Sequence, residues 1–188
     1  MDRVFKPQKL ARTIKWTPPP EFVYKLNTDG ASKGNPGMAG CGGLIRDHLG
    51  NWVIGFARKI HWASSTCAEL WALRDGLEMA LHGNYSPIHI EMDSQIILNI
   101  ISKPPESYNC YNAIVIDCRW LLSRFREEQI RHQFRDGNQV ADALANMGCT
   151  MPHDFCTFRT PPLGVTTFVE FDRGGVGSTR VCNQTSFD

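Results

Sequence analysis

Four carboxylates stand at positions from which a chain could hold metal ions: Asp29, Glu69, Asp93 and Asp142. Asp29 closes the run FVYKLNTD, in which Phe22, Tyr24 and Leu26 share one parity and Lys25, Asn27 and Asp29 the other. Asp93 closes IHIEMD, where Ile88, Ile90 and Met92 alternate with His89, Glu91 and Asp93. Two aspartates thus end two predicted strands on their polar parity, and they meet if those strands are parallel neighbours. Glu69 lies four residues before Leu73, at the border of the apolar face of a predicted helix. Asp142 lies in the first turns of another helix, among Ala141, Ala143 and Ala145, while Val140, Leu144 and Met147 form that helix's buried stripe. Singly, each acid has an ordinary explanation, as a turn residue or as a complement to a helix amino-terminal dipole. Clustered, the four would repel and raise one another's pKa values. Divalent cations remove that conflict, and hard oxygen donors suit magnesium or manganese rather than zinc. Two such ions about 4 Å apart activate water and stabilise the leaving oxygen in phosphodiester hydrolysis.

The elements that must position these acids follow from periodicity. Strands are predicted over 22–29, 39–47, 51–60, 88–93 and 128–134, with a turn at His48-Leu49-Gly50 between the second and third. Leu70, Leu73, Leu77 and Leu81 predict a helix over 65–82, entered through Ser64, Ser65 and Thr66, which offer capping hydroxyls. Further helices are predicted over 95–102, capped by Ser94, over 110–126, and from a capping Asn138 to Met147, stopped by Gly148. The order predicts an α/β fold: a five-stranded mixed sheet, three strands antiparallel and then two parallel, with helices on both faces. Sites in such sheets sit at the carboxyl ends of the strands.

Composition bounds the rest. The chain has 188 residues, of which 42% are apolar, enough for one domain with a sizeable core. Residues 1–20 carry five basic groups and one acid and end in Pro18-Pro19-Pro20, which predicts a basic, stiff linker. Residues 21–150 form the domain; residues 151–188, with Pro152, Pro161, Pro162 and RGGVGS, predict an irregular tail. Twelve basic against fourteen acidic groups within 21–150 exclude a broad basic face, so positive charge for a polyanion must come from elsewhere. No apolar run approaches the roughly 18 residues of a membrane span, and no secretory signal opens the chain. The expectation is an intracellular protein, nuclear or cytoplasmic. Seven cysteines without CxxC spacing predict reduced thiols, not disulfides or a zinc site.

The stretches NTDGASKGNPGMAGCGGLIRD, AELWAL, EMDSQ and GNQVADALA, in that order over residues 20–150, resemble type 1 ribonuclease H. The similarity is to the plant domains related to retroelement reverse transcriptases. The resemblance implies the ribonuclease H fold and an Asp-Glu-Asp-Asp site at Asp29, Glu69, Asp93 and Asp142. That site would hold two magnesium ions, with manganese able to replace them. It implies endonucleolytic cleavage of the RNA strand of an RNA–DNA hybrid by a monomer without a small-molecule cofactor. Implied nucleic-acid contacts are Gly30, Ala31 and Ser32 to ribose, Asn35 to a backbone oxygen, and Ser65 and Thr66 to the 2′-hydroxyl and phosphate. Ser94 and Gln95, after Asp93, match the family's DSQ triplet, and Arg135 is placed for phosphate contact or product release.

Two features of the bacterial enzymes are missing. Where a catalytic histidine loop stands, RHQFRDGNQVAD puts His132 inside the last predicted strand, as a packed or edge residue. The basic, tryptophan-containing substrate handle is replaced by KPPESYN, and Trp120 reads as a core residue of the following helix. The basic lead from Arg3 to Lys15 could touch phosphates in compensation. A non-catalytic hybrid-binding module derived from a retroelement is the competing reading. A resolvase or exonuclease of the same fold is disfavoured by the GNPG loop and the DSQ triplet.

Overall fold

The structure, a computed structural model, describes residues 9–103 and 110–183. Its strands are β1 (Lys9–Ile14), β2 (Tyr24–Gly34), β3 (Gly37–Arg46), β4 (Trp52–Ala63), β5 (Ile88–Met92), β6 (Glu128–His132), β7 (Phe155–Phe158) and β8 (Ser178–Asn183). Its helices are α1 (Ser65–His82), α2 (Gln95–Ser102), α3 (Asn112–Leu122), α4 (Gln139–Thr150) and α5 (Leu163–Arg173), with a single 3-10 turn at Arg135–Gly137. The central sheet runs in the order β6-β5-β2-β3-β4-β7. β2, β3 and β4 are antiparallel, and β5 and β6 extend the sheet in parallel from β2.

The mixed architecture agrees with the hydrophobic patterning, with one strand more. β7 pairs antiparallel with β4 and comes from the segment expected to be irregular. Four residues are too few to show a period, but Phe155 stacks on Phe56, ring centroids 6.0 Å apart, and gives that strand its anchor.

Each sheet face is covered by one set of helices. α1 and α3 bury Leu26, Ile88, Ile90 and Met92 against Leu70, Leu73, Leu77 and Cys118. On the opposite face Leu44 packs with Val140 and Leu144 of α4 and Val165 and Val169 of α5. Full burial of each such aliphatic side chain contributes roughly 1.5–3 kcal/mol.

Close approach sets the helix positions. A Cβ on Gly30 of β2 would lie 2.2 Å from the backbone nitrogen of Glu69, so only glycine lets the start of α1 rest on that strand. Gly148 does not stop α4 as its position suggested; the helix continues to Thr150. A Cβ there would lie 2.4 Å from the Arg58 carbonyl oxygen, and the glycine lets α4 rest on β4. Two caps also differ from expectation. Asn138 makes no side-chain cap and instead donates its amide to the Thr28 carbonyl at 2.9 Å. Ser94 makes no cap hydrogen bond, whereas Ser64 accepts from the Cys67 amide at 3.2 Å.

The chain ends are the main correction. Residues expected as linker and tail are locked to the sheet by its own charges. Lys25 and Arg46 are register partners on β2 and β3, and both are buried. Buried cations need partners. Arg46 takes Asp172 of α5 at 2.6 Å and the Asn27 oxygen at 2.9 Å, and its guanidinium lies 3.7 Å from the ring centre of Trp16. Trp16 donates its indole N–H to the same Asn27 oxygen at 2.9 Å. Lys25 takes Glu91 at 2.5 Å and the Thr17 carbonyl at 2.7 Å. β1 and β8 then pair antiparallel, from Lys9 opposite Asn183 to Ile14 opposite Ser178. Cys41, Cys67, Cys110, Cys118, Cys149 and Cys156 are unpaired.

Candidate active site

Asp29 sits inside β2, not at its end. The strand continues to Gly34, so Gly30, Ala31 and Ser32 are strand residues opposite Cys41, Gly40 and Ala39, and the turn is Asn35-Pro36. β5 runs parallel to β2 with Thr28 opposite Met92, which delivers Asp93 beside Asp29. The bare backbone of Gly30 lets α1 deliver Glu69 to the same place. Carboxylate oxygens of Asp29, Glu69 and Asp93 all lie within 4.8 Å of one another.

Burial and mutual repulsion dominate the electrostatics. Asp29 is buried, and its carboxyl is pushed up to about 10, first by desolvation and then by the charges of Glu69, Asp93 and Asp142. Glu69 is pushed up to about 8 by desolvation and then by Asp93; the Gly30 amide and the Arg135 charge act in the opposite sense. Its Oε2 is buried without a hydrogen-bond partner. A cluster of three carboxylates, one with an orphaned buried oxygen, suits a hard divalent cation. Magnesium or manganese fits these residues; zinc, with no histidine or thiol in the cluster, does not.

Asp142 lies outside that 4.8 Å cluster but on the wall of the same cleft, a cavity of about 310 Å³ that also exposes Gly30, Ser65 and Arg135. One Asp142 oxygen is ion-paired with Arg135, and the other accepts from Asn146 at 3.2 Å. The structure thus gathers three of the four acids within 4.8 Å of one another and places the fourth on the wall of the same cleft, paired with Arg135.

The remaining expected contacts divide. Ala31 and Ser32 line the cleft with Gly30, Ser65 and Arg135. The Ser32 hydroxyl lies 2.5 Å from the Gly34 carbonyl oxygen and 2.8 Å from that of Ala63, and its single proton serves one of them at a time. Asn35 is off the wall; its side-chain oxygen accepts from the Ser65 amide at 3.1 Å and ties the hairpin to the start of α1. Thr66, Ser94 and Gln95 are also off the wall, and Gln95 donates to Asn99 along α2 at 3.2 Å. Lys33 and Asn146 line the cleft without having been singled out. Asn146 was legible as the i+4 neighbour of Asp142 on a helix; Lys33 carried no signal beyond its place in the glycine-rich stretch.

His132 is an exposed edge residue of β6, edge-on to Phe134 at 5.4 Å, with Nε2 3.1 Å from the Asp93 carbonyl oxygen. Trp120 is 59% exposed instead of buried, and Arg124 covers its ring at 5.8 Å. The buried face of α3 is Val115, Cys118, Leu121 and Leu122, which turns position 120 outward. Of KPPESYN, residues 104–109 lie outside the described residues. Among the described residues no helix is long and apolar enough to cross a membrane.

Comparison with known proteins adds an independent line. Residues 27–148 match the family model described as reverse transcriptase-like. A candidate ribonuclease H protein of Arabidopsis thaliana is 33% identical over 172 residues, which is 92% of this chain and 27% of that protein. The chain therefore spans about a quarter of that relative's length. The crystal structure of ribonuclease H1 from Halobacterium salinarum superposes with a TM-score of 0.59 at 30% identity, over 66% of this chain and 96% of that one. LC11 ribonuclease H1, solved in complex with an RNA/DNA hybrid, superposes with a TM-score of 0.60 at 25% identity, over 67% of this chain and 96% of that one.

Proposed function

Because the chain belongs to the reverse transcriptase-like family and carries the ribonuclease H fold, we propose that it is an RNA–DNA hybrid ribonuclease. In this reading it cuts the RNA strand internally, as a monomer, at a site formed by Asp29, Glu69, Asp93 and Asp142. The observation that carries it is the gathering of three carboxylates within 4.8 Å of one another, one of which, Glu69, has a buried oxygen without a partner. The solved hybrid complex of LC11 ribonuclease H1, a structural neighbour, supports the choice of substrate.

A pair of magnesium ions, or manganese, held by these acids would supply an activated water and neutralise the charge that develops on the departing 3′ oxygen. The chain's own residues do the rest. Asp29 and Glu69, buried on rigid elements, hold their oxygens with little freedom to reorganise. Asp142 joins the set when Arg135 releases it, and the freed guanidinium, on the cleft wall, then donates hydrogen bonds to a phosphate. Gly30, Ala31, Ser32 and Ser65 form the wall along which the ribose lies, and their small size admits the sugar. Asn35 braces that wall through Ser65. Thr66, Ser94 and Gln95, just off the wall, are assigned to the flanking nucleotides.

The test is cleavage of an end-labelled hybrid with and without Mg²⁺, beside Asp93→Asn, with duplex RNA and single-stranded RNA as controls. Metal-dependent internal cuts in the hybrid alone, lost in the variant, are expected. Equal cutting by the variant, or none by the parent, sinks the enzyme reading. The pairing of Asp142 with Arg135 favours one second reading, a hybrid-binding module with a three-carboxylate remnant. Binding of the hybrid without cleavage at any metal concentration would select it.

A further inference from the structure

Within residues 21–150 acids outnumber bases, yet the proposed substrate is a polyanion. The fold supplies positive charge from outside that span. A second cleft, about 390 Å³, adjoins the first and shares Arg135 and Asp142 with it. Its other walls are Asp136, Gln139, Phe168 of α5 and Arg180 of β8. Two of its walls therefore come from the carboxyl-terminal segment that docks on the domain.

Arg180 is directed there by β1. The two strands pair antiparallel, and Arg180 stands directly opposite Arg12, so both side chains leave the same face. Like charges in that register repel each other. The Arg180 guanidinium lies 5.4 Å from the ring centre of Phe134 and 3.7 Å from Asp136, and its side chain is 51% exposed. Its pairing is loose and its donors are open to the cleft. Arg135, across the same cleft, is 69% exposed. With Asp142 assigned to metal, Arg135 and Arg180 line the cleft against the single acid Asp136, and the cleft is left with an excess of positive charge.

We propose that this cleft is an anion subsite that receives a backbone phosphate of the bound nucleic acid, with Arg180 and Arg135 as donors and Arg12 adding longer-range attraction. The proposal rests on the hybrid-ribonuclease reading and deepens it: the carboxyl-terminal strand adds a second cation, Arg180, to the domain's own Arg135. Because the two clefts share Arg135 and Asp142, the phosphate belongs to the strand that runs past the carboxylates. A phosphate contact carries no sequence information, so the subsite raises affinity for any hybrid alike.

The experiment is anisotropy of a fluorescein-labelled hybrid with the full chain in the cleavage-dead Asp93→Asn background, over a range of salt. Arg180→Ala is expected to weaken binding about 5–10-fold at low salt and to reduce the slope of log K against log salt by about 0.9. Arg180→Lys should keep the slope, and Arg159→Ala, which lines neither cleft, should leave both quantities unchanged. Melting temperatures separate a folding defect from a binding defect, and where Arg180→Ala melts early, restoration of the slope by lysine decides. A parent that binds hybrid and an Arg180→Ala protein with the same affinity and slope overturn the subsite alone. A parent that binds no hybrid overturns the function and the subsite together.

Discussion

A carboxyl whose folded pKa lies above its unfolded value contributes stability only while it is protonated. For Asp29 and Glu69 that contribution is complete below the ordinary carboxylate range, near 3.8 and 4.5, and is lost as pH rises towards about 10 and about 8 respectively. With metal chelated by EDTA, the melting temperature should therefore fall between pH 5 and pH 8, and calorimetry will read it. Mg²⁺ should raise the melting temperature at pH 8 and flatten the profile, because binding to the folded state alone stabilises it. Asp29→Asn in EDTA should melt higher than the parent at pH 8, by roughly 2–4 °C for each kcal/mol of repulsion removed. A profile in EDTA that is flat, or that rises with pH, would show that the acids do not oppose one another. That Asp29, Glu69, Asp93 and Asp142 would share one cleft was legible in the sequence, because their places in predicted elements converge. The pairing of Asp142 with Arg135 was not, since nothing in RDGNQVAD says which way a surface guanidinium turns.

At the scale of elements, the site depends on how closely α1 lies against β2. Gly30→Ala would put a methyl group 2.2 Å from the Glu69 backbone nitrogen, and α1 would have to retreat. The expected cost is about 1–3 kcal/mol of stability, read by urea denaturation, with loss of metal affinity as Glu69 withdraws from Asp29. A Gly30→Ala protein with unchanged stability and metal affinity would refute this account of the packing. The strands and helices of the central sheet were legible because alternation and leucine spacing run long enough to show a period. Strand ends were not: β2 was expected to close at Asp29 and runs to Gly34, since polar residues near a hairpin carry no apolar marker. β7, with four residues, fell below any periodic signal. The exposed Trp120 misled because an aromatic residue among Leu121 and Leu122 reads as core until the helix phase is known.

For the whole molecule, the buried pair of Arg46 and Asp172 joins residues 126 positions apart and holds α5 to the sheet. Asp172→Ala would leave the guanidinium buried without its counter-charge, at an expected cost of about 3–5 kcal/mol in chemical denaturation. The double variant Arg46→Met, Asp172→Leu should recover most of that. Little loss in the single variant would mean that Trp16 and Asn27 suffice to hold Arg46. Local pattern could not reveal this contact, because a lone aspartate in a short helix and a lone arginine in a strand carry no mark of each other. The pairing of β1 with β8 has a mechanical side as well. Lys9 and Asn183 lie opposite each other at one end of that ribbon, so tension applied through the two ends of the described chain pulls the strands apart one hydrogen bond after another, like a zipper. Such a ribbon is the weakest arrangement against load. Under tension Arg180 would leave its cleft while the carboxylates, anchored in the central sheet, still hold their places.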